Sequence, residues 1–136
     1  MSWDVIVQDI PADAVRVDDI ANDFVPAPIG KRSEVIRKIT EVVPFANFSN
    51  PSWGMIDGEG FSIEVSLGED EELGYFAFHA RGTDQAAAVI ADILSYLDLR
   101  AFDTGTGEIF DTARAAEGLA RWRQYRDSVM FSKASE

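Results

Sequence analysis

Two segments of this chain alternate between apolar and polar residues: Phe61-Ser62-Ile63-Glu64-Val65-Ser66-Leu67 and Tyr75-Phe76-Ala77-Phe78-His79-Ala80-Arg81. Successive side chains of a strand leave on opposite faces, so this pattern belongs to strands buried on one side only. A glycine-bounded acidic stretch, Gly68 to Gly74, joins them, and an antiparallel hairpin with an acidic turn is the simplest reading. A sheet with one apolar face needs a cover, and helices are the natural source of it.

Three segments have helical spacing. Ser33 is placed to cap a helix whose apolar positions are Val35, Ile36, Ile39, Val42 and Val43, and Pro44 ends it. After Gly82, Thr83 is a second candidate cap. It precedes a continuous apolar stripe of Ala86, Val89, Ile90, Ile93, Leu94 and Leu97. A last helix is expected over residues 112–130, with Leu119, Trp122, Val129 and Met130 inward. Trp3 to Gln8 reads as a first strand, stopped before Pro11. Ala101-Phe102 and Ile109-Phe110 flank a turn, Asp103 to Glu108, as a short hairpin or bent strand pair. Residues 11–32 give no regular reading beyond a helical turn near Asp18 to Ala21, and residues 44–54 read as a loop holding Phe45, Phe48 and Trp53. The expectation is one α+β domain over residues 1–136. It has a single, mostly antiparallel sheet, about three helices on one face, and a frayed tail over 131–136.

Composition narrows the function. The 136 residues carry a formal net charge of −12, no cysteine and one histidine, His79. Disulfides, thiol nucleophiles, thiolate metal sites and multi-histidine metal sites are thereby excluded. No cofactor is expected. Neither nucleic acid nor an anionic membrane is an expected partner for so negative a surface, whereas a basic protein is. No apolar run approaches a membrane span, and Met1-Ser2-Trp3-Asp4 has no signal-peptide character, so a reducing cytoplasm is the expected location. The charge is uneven. Acidic residues dominate 1–30 and 57–72, whereas Arg114, Arg121, Arg123, Arg126 and Lys133 gather near the C-terminus.

Four constellations could carry chemistry. Hairpin pairing would bring Glu64 to His79 or its diagonal neighbour, with Arg81 beside them on the polar face. A carboxylate there would orient the imidazole as a general base or a pH-sensitive contact, but a solvated sheet face carries the same residues. Asp103-Thr104-Gly105 matches the tripeptide around the catalytic aspartate of aspartic proteases. A single copy would need a dimer, and the helical content argues against that fold. Glu69-Asp70-Glu71-Glu72 and Asp57-Gly58-Glu59-Gly60 lack the spacing of a calcium loop, so no metal site is expected. The aromatic residues of 44–54 either close one end of the core or anchor an interface, and Trp122 between Arg121 and Arg123 has the same two readings.

The order Phe61 to Glu64, Phe76 to Gly82, the helix over 83–97, then Ala101 to Asp103 and Gly107-Glu108 resembles small bacterial cytoplasmic proteins. These are loosely similar to the immunity proteins of contact-dependent and other polymorphic toxin systems. The resemblance spans residues 33–110. It implies an acidic, non-enzymatic protein that blocks a basic toxin by covering its active site, and it assigns no residue a role. On these grounds the expected function is protein interaction, with a basic partner bound through Trp53, Glu64, Glu69, Asp70, Glu71 and Glu72. The alternative is a small-ligand-binding or hydrolytic domain that uses Glu64, His79 and Arg81. A third reading is a homodimer that pairs through the open sheet face.

Overall fold

The computed structural model of the chain describes residues 2–82 and 84–110. In chain order the elements are β1 (Trp3–Gln8), a 3₁₀ turn (Val17–Asp19), β2 (Gly30–Lys31), α1 (Arg32–Val42), β3 (Trp53–Gly58), β4 (Phe61–Ser66), β5 (Glu72–Leu73), β6 (Tyr75–Gly82), α2 (Asp84–Leu97), β7 (Arg100–Asp103) and β8 (Ile109–Phe110). The fold is α+β. Six strands form one sheet in the order β3-β4-β6-β1-β7-β8, with every neighbouring pair antiparallel. The described residues hold two α-helices rather than three, and the helix expected over 112–130 lies outside them.

The first strand lies in the middle of the sheet, between β6 and β7. Both neighbours run antiparallel to it and therefore parallel to each other, so α2 is the crossover that carries the chain over β1. Chain entropy does not select this strand order, which rests on what β1 buries. Trp3, Val5 and Val7 are fully buried on one face, opposite Ala80, Phe78 and Phe76. The same face continues through Ile63 and Val65 of β4 to Ile56 of β3. Val35 and Ile39 of α1 and Ala86, Ala87, Ile90, Ile93 and Leu94 of α2 complete this core. Each large side chain taken fully from water contributes on the order of 1.5–3 kcal/mol, which is what overcomes the cost of closing such long loops.

The ends of both helices are determined by groups that local spacing does not reveal. Lys31, not Ser33, occupies the N-cap of α1 and offers it no side-chain bond. The cap comes from a distant part of the chain. Glu71 accepts hydrogen bonds from the Ser33 amide (3.3 Å) and hydroxyl (2.5 Å), and its carbonyl accepts from the Arg32 amide (2.6 Å). A carboxylate at this end also meets the positive pole of the helix dipole. At the end of α2 the Leu99 amide donates to Leu94 (3.1 Å) and the Asp98 amide to Ser95 (3.2 Å), a Schellman closure with Asp98 in the left-handed region at φ 54°. The second expected cap, Thr83, lies outside the described residues.

Two expected boundaries change. Trp53 and Gly54 belong to a strand rather than to the loop 44–54, and only Glu59-Gly60 remains as the turn between β3 and β4. The acidic stretch 68–74 is more than a solvated tip. Glu72 and Leu73 pair with Lys31 and Gly30 in a second, two-stranded ribbon that ties the hairpin to the start of α1.

Candidate functional site

With both described helices on one face, the opposite face of the sheet divides into a half covered by residues 9–20 and an open half that no other described segment crosses. Residues 9–20 fold back over β7 and β8. Ile10 and Ala14 pack on Ile109, with Ile20 and Phe102 at the margin. Arg100 fastens this segment by donating to the carbonyls of Pro11 (2.9 Å) and Ala14 (2.8 Å), and Val15 accepts from the Ile109 amide (3.0 Å). This is the course of a segment whose sequence gave no regular reading. The open half comprises the outward residues of β3, β4, β6 and β1.

The register sets these residues in rows. Met55, Glu64, His79 and Asp4 lie side by side across the four strands. The next rows hold Trp53, Ser66, Ala77 and Ile6 on one side, and Asp57, Ser62 and Arg81 on the other. Glu64 and His79 are therefore direct partners in register, as the hairpin pattern led us to expect. The imidazole, however, turns the other way. Its Nδ1 lies 2.8 Å from Asp4 Oδ1 on β1, and Ser2 Oγ donates to the same carboxylate oxygen (2.6 Å). On its other side the ring meets Trp53, stacked at 5.9 Å between centroids and 18° between planes. Trp53 starts on the edge strand and leans across β4 to reach His79 on β6. It stays 41% exposed, and Tyr75 at the end of β6 is 64% exposed. The centre of the site is thus a Trp53–His79–Asp4 chain, with Glu64 next to it in register and Arg81 one row away.

The acidic residues separate into two groups. Glu71 is committed to the cap of α1, and its hydrogen bonds from the Ser33 hydroxyl and then the Ser33 amide hold its carboxyl below the usual glutamate range. Glu64, Glu69, Asp70 and Glu72 make no ion pair with any described residue. Glu69, Asp70 and Glu72 line a cavity of about 170 Å³ with Ser66, Leu67 and Tyr75, at the end of the open face. The aromatic residues separate as well. Phe48 packs on the core at Gly54, while Phe45 and Trp53 are exposed.

Asp103 occupies a structural position. It is 3% exposed, and its two oxygens are fully engaged. Oδ2 accepts from the indole of Trp3 (2.9 Å), while Oδ1 accepts from the amides of Gly105 (2.7 Å) and Thr106 (3.2 Å). Asp103-Thr104-Gly105 thus forms an Asx turn between β7 and β8, anchored to the core. A second cavity, of about 330 Å³, lies beside this turn and is lined by Arg16, Val17, Asp18 and residues 102–107. Neither cavity includes His79. Among the described residues no three His, Cys, Asp or Glu side chains are grouped to hold a metal ion, and no helix is long and apolar enough to cross a membrane.

Sequence reasoning missed Asp4, although Asp4 stands at an outward position of an alternating strand. What the sequence lacks is the strand order that makes β1 the neighbour of β6. The sequence matches no family model, and no curated protein is similar to it at a significant level.

Proposed function

We propose that this chain is a non-enzymatic interaction protein that holds a basic protein partner on the open half of its sheet, as an immunity protein would hold a toxin. The observation that carries the reading is the set of carboxylates with no ion-pair partner among the described residues, Glu64, Glu69, Asp70 and Glu72, beside two exposed aromatic side chains, Trp53 and Tyr75. Unpaired surface charge steers an oppositely charged partner into place, and aromatic anchors supply the affinity once contact is made. The net charge of −12 extends the same attraction over the whole molecule. Glu71 leaves the binding set, since the cap of α1 already uses it.

Capture from a bacterial lysate at low and at high salt, with variants as controls, tests this reading. The wild type should retain a stoichiometric basic protein at low salt and lose most of it at high salt. Glu64→Gln/Glu69→Gln/Asp70→Asn/Glu72→Gln and Trp53→Ala should each retain far less. Equal capture by the wild type and both variants would remove the open face from the account. A small-ligand or hydrolytic role for Glu64, His79 and Arg81 is the second reading, and it requires a pocket at His79.

A further inference from the structure

We propose that the open face takes an arginine side chain of the partner, with the Trp53 indole as the platform on which its guanidinium stacks and with Asp4 and His79 as the positioning residues that hold that platform. This inference rests on the binding reading above and names the side chain by which a basic partner is recognised. It starts from how the indole is held. Ser2 Oγ donates to Asp4 Oδ1 (2.6 Å), and the same oxygen lies 2.8 Å from Nδ1 of His79. The imidazole in turn stacks on Trp53, at 5.9 Å between centroids and 18° between planes. A surface tryptophan on an edge strand would ordinarily sample several rotamers, and ordering it would oppose binding. Here folding has already ordered it, because β1 and β6 deliver both supports. The stack uses one face of the ring, and the side chain remains 41% exposed.

The surroundings of the indole select the ligand. Along the strands, Glu64 and His79 lie on one side of the row that holds Trp53, Ser66 and Ala77, and Gly68 and Tyr75 lie on the other. On that other side Ser66 and Tyr75 line the cavity of about 170 Å³ together with Glu69, Asp70 and Glu72. Its volume is that of roughly five waters, enough to admit a guanidinium. A cation here meets an aromatic platform and carboxylates together, and the two basic side chains differ in how they use that pair. A guanidinium is planar and weakly hydrated, and its donors lie in its own plane. It can therefore rest on the indole and still point N–H groups at carboxylates. An ammonium has no face to stack and holds its hydration shell strongly, and an open site does not replace that shell. The carboxylates attract either cation, so the discrimination between them resides in Trp53.

Two probes of equal charge, hexa-arginine and hexa-lysine, titrated calorimetrically at low salt, separate the two contributions. The wild type should bind hexa-arginine roughly threefold to tenfold more tightly than hexa-lysine, the scale of a cation–π contact with a partly exposed indole. Trp53→Ala should bind both peptides alike, near the wild-type level for hexa-lysine. Asp4→Ala and His79→Ala should each narrow the preference, and His79→Phe, which keeps a ring against the indole, should restore it. A preference unaltered in both alanine variants would overturn the positioning role. Equal affinities for the two peptides in the wild type, or a preference that survives in Trp53→Ala, would overturn the arginine platform. Hexa-lysine then reports on the binding reading by itself. Weaker binding to Glu64→Gln/Glu69→Gln/Asp70→Asn/Glu72→Gln would keep that reading, and unchanged binding would overturn it as well. The indole N–H resonances provide a readout in the wild-type protein. The Trp53 signal, assigned by its loss in Trp53→Phe, should shift with N-acetyl-arginine amide and much less with N-acetyl-lysine amide, while that of Trp3, bonded to Asp103 in the core, stays in place. A Trp53 signal that moves equally with both compounds, or with neither, would overturn the platform.

Discussion

Replacing Asp103 tests how the sheet is bound to its last turn. In Asp103→Asn, the amide oxygen can keep the two turn amides of Gly105 and Thr106, but its NH₂ then faces the Trp3 indole N–H, donor against donor. Flipping the amide satisfies the indole and abandons the turn. Trp3 is fully buried and Asp103 nearly so, and water has little access to make up the deficit. A buried donor left without an acceptor costs about 1–3 kcal/mol, so Asp103→Asn should lose about 2 kcal/mol. Asp103→Ala removes the acceptor for three donors. Two of these are amides of the exposed turn that water can reach, so its loss should be about 3 kcal/mol rather than three full penalties. Trp3→Phe in the Asp103→Asn background removes the opposing donor. The double variant should therefore be about 1 kcal/mol more stable than the sum of the single changes requires. Urea unfolding followed by far-ultraviolet circular dichroism measures the wild type, the three single variants (Trp3→Phe included) and the double variant without relying on tryptophan emission. The reasoning is refuted if Asp103→Asn costs less than about 0.5 kcal/mol, or if the two substitutions are simply additive.

Three further substitutions test the fold at separate points. Gly82→Ala should cost at least 3 kcal/mol by the same assay, since Gly82 has φ +108° and a methyl group there would lie 2.2 Å from the Gly60 carbonyl oxygen and 2.6 Å from Phe61 Cα. Asp98→Gly should instead raise stability by roughly 0.5–1 kcal/mol, because it relieves a left-handed residue at the end of α2. Glu71 titrates below the ordinary glutamate range because Ser33 donates to it, so the unfolded chain takes up protons there before the folded one does. Its contribution is complete above that range and is lost as pH falls through the lower folded value. Glu71→Gln should accordingly show a shallower decline in stability between about pH 5 and pH 3 than the wild type. Asp19, held low by the amides of Val15 and Arg16, and Glu41, held low by the Tyr96 hydroxyl, add to the acid lability that remains.

How much of this was legible in the sequence follows from how local each determinant is. The alternation of β4 and β6 could be read because every inward position holds an apolar side chain, and their register delivered Glu64 opposite His79. β3 escaped notice because its inward positions are Gly54 and Ile56, and the glycine breaks the pattern. Gly54 is small because the ring of Phe48 lies where its side chain would be. The cap of α1 was misassigned to Ser33 because Glu71, the group that performs it, is brought in by the β2–β5 ribbon and not by helical spacing. The same holds for the candidate site. Trp53, Glu64 and His79 were named from one hairpin and its flanking loop, but Asp4 enters only through the central place of β1, a long-range outcome of burying Trp3, Val5 and Val7. Glu71 was counted with its acidic neighbours because a run of like charges does not show which member turns inward.

The central claim is that the open face binds by electrostatic steering onto an aromatic anchor. It is tested most directly by the association rate between this protein and its captured basic partner, measured against ionic strength for the wild type and for Glu64→Gln/Glu69→Gln/Asp70→Asn/Glu72→Gln. The wild-type rate should fall steeply with salt, and the variant should start slower and follow a much flatter line, the two converging at high salt. Parallel lines of equal slope would mean that these carboxylates do not steer the partner and that it docks elsewhere.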